Sequence, residues 1–214
     1  MFGRVTSFTG VPERTDEALR YTDQVIRPAI KNLGALGMST LVDRKTGKSL
    51  AITWWKDETA ARGSAAEANQ IRDQFKQALG ADITDVHTYE VTLEEAAHQP
   101  SPRAARLTRA QGDISRIDEL TRWTETQLLP AYRAQPGFSG WYTLTDRQTG
   151  KSLIISYWET EAAMTAAETL LNQSRGRGAQ EMGLQFEPTE RYELALEPAP
   201  VMEAQQRPEA SPNV

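Results

Sequence analysis

Residues 48–55, KSLAITWW, carry apolar side chains on both parities: Leu50, Ile52 and Trp54 on one face, Ala51, Thr53 and Trp55 on the other. A strand apolar on both faces is covered on both faces. Around it the pattern changes period several times. FGRVTSFTG near the N-terminus reads as a strand closed by Gly10. Ala18, Tyr21, Thr22, Val25, Ala29 and Leu33 recur at helical spacing, and Pro28 should loosen that helix near its end. MSTLVD and KSLAITWW flank RKTG as a hairpin, in which Gly47 takes a positive φ at little cost. Residues 57–80 read as one helix, capped by Asp57 and stopped by Gly80, with Ala61, Ala65, Ala68, Ile71, Phe75 and Leu79 on its buried side. TYEVTLEE is a last strand, so the order is β-α-β-β-α-β.

The pattern is then written again. DRKTGKSLAITWW (Asp43 to Trp55) returns as DRQTGKSLIISYW (Asp146 to Trp158). RVTSFTG returns as RLTRAQG, Pro28-Ala29 as Pro130-Ala131, and TYEVTLEE as RYELALEP. A repeat fixes the unit of folding. The expected division is a unit over 1–95, a linker over 96–104 (AAHQPSPRA), a second unit over 105–198 and a disordered tail over 199–214. Right-handed crossovers make each unit ferredoxin-like, an α+β fold with both helices on one sheet face and the first and third strands central. The other face needs the sister sheet. The two units are therefore expected to pack sheet-to-sheet as an intrachain pseudo-dimer, with Ala51, Thr53 and Trp55 or the alternate set facing Ile154, Ser156 and Trp158. Such a chain is self-sufficient as a monomer, with homodimerisation through other surfaces left open.

Composition narrows the function classes. The 214 residues carry a formal net charge of −5, which argues against nucleic acid as the main partner. With no cysteine there is no disulfide and no thiol catalysis. Two histidines do not make a histidine-rich metal cluster, and no metal-ligand spacing or Ser-His-Asp arrangement stands out, so no metal or cofactor is expected. No apolar run reaches the length of a membrane span and MFGRVTSFTG lacks a signal-peptide core, which gives a cytoplasmic protein as the expectation.

SLAITWWKDETAA and SLIISYWETEAAM, each a strand ending in Trp before an alanine-bearing helix start, resemble the antibiotic biosynthesis monooxygenase-like superfamily. The resemblance implies a dimeric α/β barrel, here with both units in one chain. It also implies activities: cofactor-independent oxygenation of polyketide-type phenols and anthrones, or haem degradation. The anthrone oxygenases carry an asparagine four residues before the Trp, where Ala51 and Ile154 stand here. They carry a tyrosine six residues after it, where Ala61 and Met164 stand. The haem degraders need a histidine on the second helix, and neither unit has one there. Catalytic residues are thus unassigned. The readings are an oxygenase of small aromatic or polyketide-type substrates, or a non-catalytic small-molecule-binding or stress-related module.

Trp55, Trp158, Tyr21, Trp123 and Trp141 are candidates for an aromatic ligand pocket, weighed against ordinary core packing. Trp123, Trp141 and Tyr142 replace Tyr21, Met38 and Ser39, so any asymmetry between the two pockets is expected there. Arg4 and Arg106 stand in central strands, where a lone charge is costly. Either they face an acidic or phenolate ligand or they pair with Glu90 and Glu193; recurrence of the acid with the arginine favours the pair. His87, where the second unit has Glu190, reads as an exposed edge-strand residue, and RGRG at Arg175 to Gly178 as a weakened stretch of helix.

Overall fold

The computed structural model describes residues 1–95 and 102–196. The expected linker over 96–104, apart from 102–104, and the expected tail over 199–214 lie outside the described residues. Strands β1 (Phe2–Thr9), β2 (Gly37–Asp43), β3 (Lys48–Trp55) and β4 (Asp82–Glu95) form one half, with α1 (Thr15–Tyr21), α2 (Arg27–Asn32), α3 (Glu58–Gly63) and α4 (Ala65–Leu79). The same order recurs in β5 (Ala104–Gln111), α5 (Ile117–Trp123), α6 (Leu129–Arg133), β6 (Phe138–Thr145), β7 (Lys151–Trp158), α7 (Glu161–Ala166), α8 (Glu168–Met182), a short β8 (Gln185–Phe186) and β9 (Glu190–Leu196).

The strands run in the order β7-β6-β4-β1-β3-β2-β9-β5, and β5 pairs back to β7, closing an antiparallel barrel of eight strands with β8 appended to β5. β1 and β3 are central in their half, as the sequence implies. The sister sheets do more than stack, because their edge strands bond. β4 pairs with β6 through Glu90↔Thr145, and β2 pairs with β9 through Val42↔Glu193. Closure removes the exposed edges a single half would present.

The lumen is filled by Leu50, Ile52 and Trp54 from the first half and by Leu107, Tyr142, Leu153, Ile155 and Tyr157 from the second. Ala51 and Trp55, like Ile154 and Trp158, instead pack under the helices. The facing set is therefore the alternate one, and Ile154, Ser156 and Trp158 do not meet the sister sheet. The cause is the short step from the strand-end Trp into the next helix, which lays α3 or α7 over the face that Trp occupies.

The helices follow their local signals with two departures. Asp57 accepts from the Ala60 amide at 2.8 Å, and Gly80 ends α4 at φ 67°. However, the helix expected over 57–80 breaks at Ser64, and its counterpart breaks at Ala167, both near φ −84°, ψ 0°. Ahead of Pro28 and Pro130, residues Thr22–Ile26 and Thr124–Leu128 form single π-helical turns. Proline lacks the N–H and crowds the carbonyl four residues back, and the wider turn absorbs both effects. In the hairpin, Gly47 (φ 73°) passes so close to the Gly10 carbonyl that a Cβ would lie 2.1 Å from it.

Candidate functional site

Each half encloses a cavity of about 50 Å³ between its outer sheet face and its helices. Most positions lining the first-half cavity recur in the second, which also takes in Arg106, Trp123 and Phe186, and the shared positions differ in a pattern. Trp141 replaces Met38, Tyr132 replaces Ile30, and Ile154 replaces Ala51. At the opposite end Ala110 replaces Phe8 and Gly178 replaces Phe75, two rings that pack 5.0 Å apart in the first half. Bulk has moved from one end to the other. Phe186, where the first half has Ile83, then packs against the vacated helix surface. A Cβ on Gly178 would lie 3.1 Å from the Phe186 ring and 3.3 Å from Leu184. Despite its glycines, α8 runs unbroken through RGRG.

The arginines do not form the expected pairs. Arg4 is buried beneath α3, where its Nη2 donates to the Ala61 carbonyl and, at 3.2 Å, to the Ser64 hydroxyl, with the guanidinium 5.1 Å from the Trp55 ring centre. Its cross-strand neighbour is Thr88, whereas Glu90 sits at the β4–β6 seam and takes Arg147 at 2.6 Å. Glu193 likewise takes Arg44 at 2.7 Å rather than Arg106. Both acids lie at the border of their sheet, within reach of the other half's hairpin turn.

Arg106 is the cavity's buried cation, with 4% of its surface exposed. Ala167 stands where the first half has Ser64, so the hydroxyl acceptor is lost. Arg106 Nη2 donates instead to Thr189 Oγ1 at 3.3 Å and Asn172 Oδ1 at 3.4 Å. Arg175 Nη1 donates to the same Thr189 Oγ1 at 3.1 Å, and its Nη2 to the Glu187 carbonyl at 3.3 Å. Glu168, 3.9 Å from Arg106, is already held by Arg191 at 2.6 Å. The Nε of Arg106 and the Nε of Arg175 are both buried without a hydrogen-bond partner among the described residues. Desolvation pushes the Arg106 guanidinium below its ordinary value, opposed by Tyr132 and Glu168 and aided by Arg175 and Arg191. Burial pushes the Tyr132 hydroxyl up.

Trp123 and Trp141 complete the wall. Trp141 lies edge-on to Tyr132 at 4.9 Å and donates to Thr143 at 2.8 Å. Trp123 donates to Glu181 at 2.8 Å, and Arg177 binds Glu181 at 3.0 Å while stacking on the indole at 5.7 Å. This clasp joins α5 to α8 over the cavity. Tyr21, Gln74 and Ala78 stand in its place in the first half and cannot form it.

Of the residues singled out in the sequence, the structure thus brings Arg106, Trp123 and Trp141 together. Trp158 donates to Ser156 at 3.0 Å behind the wall, and Trp55 to Thr53 at 3.0 Å. Tyr21 packs on Phe75, and Arg4 lies outside the cavity lining of the first half. Tyr142 points into the barrel, not the cavity. His87 is not on an edge: β4 lies between β1 and β6, and the ring shares a 3.1 Å hydrogen bond with Asp146 and stacks on Tyr89 at 4.4 Å. The sequence singles out neither Thr189 nor Tyr132, and Arg175 only as part of a weakened stretch of helix. Arg175 had a signal, since its repeat counterpart is Arg72 on the same side of α4. Thr189 had none, because Val86 aligns with it.

No three His, Cys, Asp or Glu side chains come together as a metal site among the described residues. Haem does not fit the cavity, whose walls hold no histidine or cysteine and whose volume is far below that of a porphyrin. Among the described residues no helix is long and apolar enough to cross a membrane.

No known family's sequence profile matches the chain. It is 24% identical over 198 residues to the uncharacterised protein Rv2557 of Mycobacterium tuberculosis, covering 92% of this chain and 88% of that one. Among solved structures it is similar to an anthrone oxidase-like protein, with a TM-score of 0.60 and 13% identity over 90% of this chain and 91% of the other. It is also similar to an uncharacterised ferredoxin-fold protein from Listeria monocytogenes related to antibiotic biosynthesis monooxygenases, with a TM-score of 0.53 and 14% identity over 90% and 94% of the two chains. At such identities the likeness shows the fold. The chain has the α/β-barrel fold of the antibiotic biosynthesis monooxygenase-like proteins.

Proposed function

We propose that the cavity of the second half is the functional site and that it receives a small, largely apolar molecule. One observation carries this reading. Each half keeps a cavity of similar volume, and Thr40 Oγ1 in the first is also buried without a partner among the described residues, but only the second surrounds its cavity with two indoles, a tyrosine and two guanidiniums, each with a buried Nε left unpartnered. Core packing alone fills space and satisfies polar groups. A void of about 50 Å³ holds on the order of four water-sized bodies, so a larger ligand enters by parting α5 from α8 at the Trp123 clasp. The experiment is mass spectrometry of the small molecules that co-purify with the intact protein and with Gly178→Phe. A compound retained by the parent and lost from the variant supports the reading; no difference between them contradicts it.

Oxygenation of a small aromatic or polyketide-type substrate without metal or flavin is the finer reading. It draws support from the fold shared with an anthrone oxidase-like protein. Such chemistry needs the substrate as an electron-rich anion. The cavity wall holds no imidazole or carboxylate to make one, and the Tyr132 hydroxyl, its pKa raised by burial, is a poor base. An oxygenated substrate would therefore have to arrive acidic. Oxygen uptake with a panel of anthrones and hydroquinones tests this; without uptake, the protein is a binding module.

A further inference from the structure

We propose that the ligand of the second-half cavity carries a single carboxylate, received between Arg106 and Arg175. This rests on the cavity reading and deepens it. The two guanidiniums converge on one neutral acceptor, Thr189 Oγ1, at 3.3 and 3.1 Å. Two like charges held that close, one of them almost wholly buried, repel each other unless an anion stands between them. Among the described residues the carboxylate recorded against Arg106 is Glu168, a long ion pair at 3.9 Å whose other oxygen binds Arg191 at 2.6 Å. Each arginine keeps a buried, unused Nε–H.

A planar, singly charged group with two oxygens matches two N–H donors from two guanidiniums. A phosphate dianion needs more donors than the site offers, and the remaining walls (Leu128, Trp141 and Ile154 among them) are apolar. The first half differs, because Arg4 lies outside its cavity lining with its Nη2 held by the Ala61 carbonyl and the Ser64 hydroxyl, although its Nη1 is also buried without a partner among the described residues.

The test compares the acids isobutyrate and benzoate with their neutral amides, by ligand-observed NMR on the full chain and on Arg175→Met. Each acid should bind about tenfold or more tightly than its amide, as expected for hydrogen bonds to charge. Arg175→Met should erase that preference while raising the thermal midpoint of the ligand-free protein, since it removes an unpaired charge. Equal binding of acid and amide would overturn the carboxylate assignment and leave the cavity reading standing. Binding of neither would overturn both. A preference that survives in Arg175→Met would place the carboxylate elsewhere.

Discussion

Arg147, in the hairpin turn of the second half, donates to Glu90, in the last strand of the first, at 2.6 Å. Arg44 repeats the contact in the opposite direction, onto Glu193 at 2.7 Å. Each arginine also binds an acid on the first helix of its own half, Asp118 at 2.9 Å and Asp16 at 2.7 Å. The repeated DRxTGK turn thus shapes a hairpin and also places a cation across each seam. Both pairs are exposed, so a double-mutant cycle on Arg147→Ala and Glu90→Ala should give a coupling of about 0.2–1 kcal/mol in urea unfolding. A coupling several times larger would show that the seam depends on this pair rather than on strand pairing.

Because both seams close within one chain, the barrel leaves no long sheet edge among the described residues to recruit a second copy, only that of the two-residue β8. We expect a monomer: light scattering after size exclusion should give a mass near 23.8 kDa at all concentrations. A mass of twice that would mean another surface drives association.

Arg4 anchors α3 to the sheet without a carboxylate partner. Replacing it removes one of two donors to the Ala61 carbonyl, which keeps the Ser64 hydroxyl at 3.0 Å, and strands no buried charge, at a cost of about 0.5–1.5 kcal/mol. Arg4→Met, which keeps the packing, should fall at the low end of that range by chemical denaturation. A loss above about 4 kcal/mol would mean that a buried anion had lost its partner.

Phe75 and Gly178, with Ile83 and Phe186, are two solutions to one packing problem. Gly178→Phe alone should overpack the second half and destabilise it by about 1–3 kcal/mol. Gly178→Phe combined with Phe186→Ile, which copies the first half, should recover much of that loss and still block the cavity. If the double variant is no more stable than the single one, the two sites are not interchangeable as described.

Much of the fold was legible because period and repeat are robust signals. The two-faced apolar strand at Leu50–Trp55 required a second cover, and the repeat supplied it. Which face met the sister sheet was not legible, since Ala51, Thr53 and Trp55 are as apolar as Leu50, Ile52 and Trp54. The turn into α3 decides it. The site was legible only in part. Trp123, Trp141 and Arg106 stood out as large or charged residues in repeat positions. The Arg4–Glu90 and Arg106–Glu193 pairs were inferred from co-recurrence, which hairpin arginines reaching over each seam explain equally well. Gly178 looked like a helix defect because its effect is on the neighbour Phe186, a relationship visible only in three dimensions.

The central claim is that a ligand enters the second half and not the first. Fluorine NMR of the full chain labelled with 5-fluorotryptophan tests it directly, because Trp55 reports on the helix-side core of the first half, Trp54 on the lumen that the halves share, and Trp123, Trp141 and Trp158 on the second half. Titration with benzoate should shift the Trp123 and Trp141 resonances, which line the cavity, and leave Trp54 and Trp55 in place. Shifts confined to Trp54 and Trp55, or none at saturating benzoate, would contradict the account.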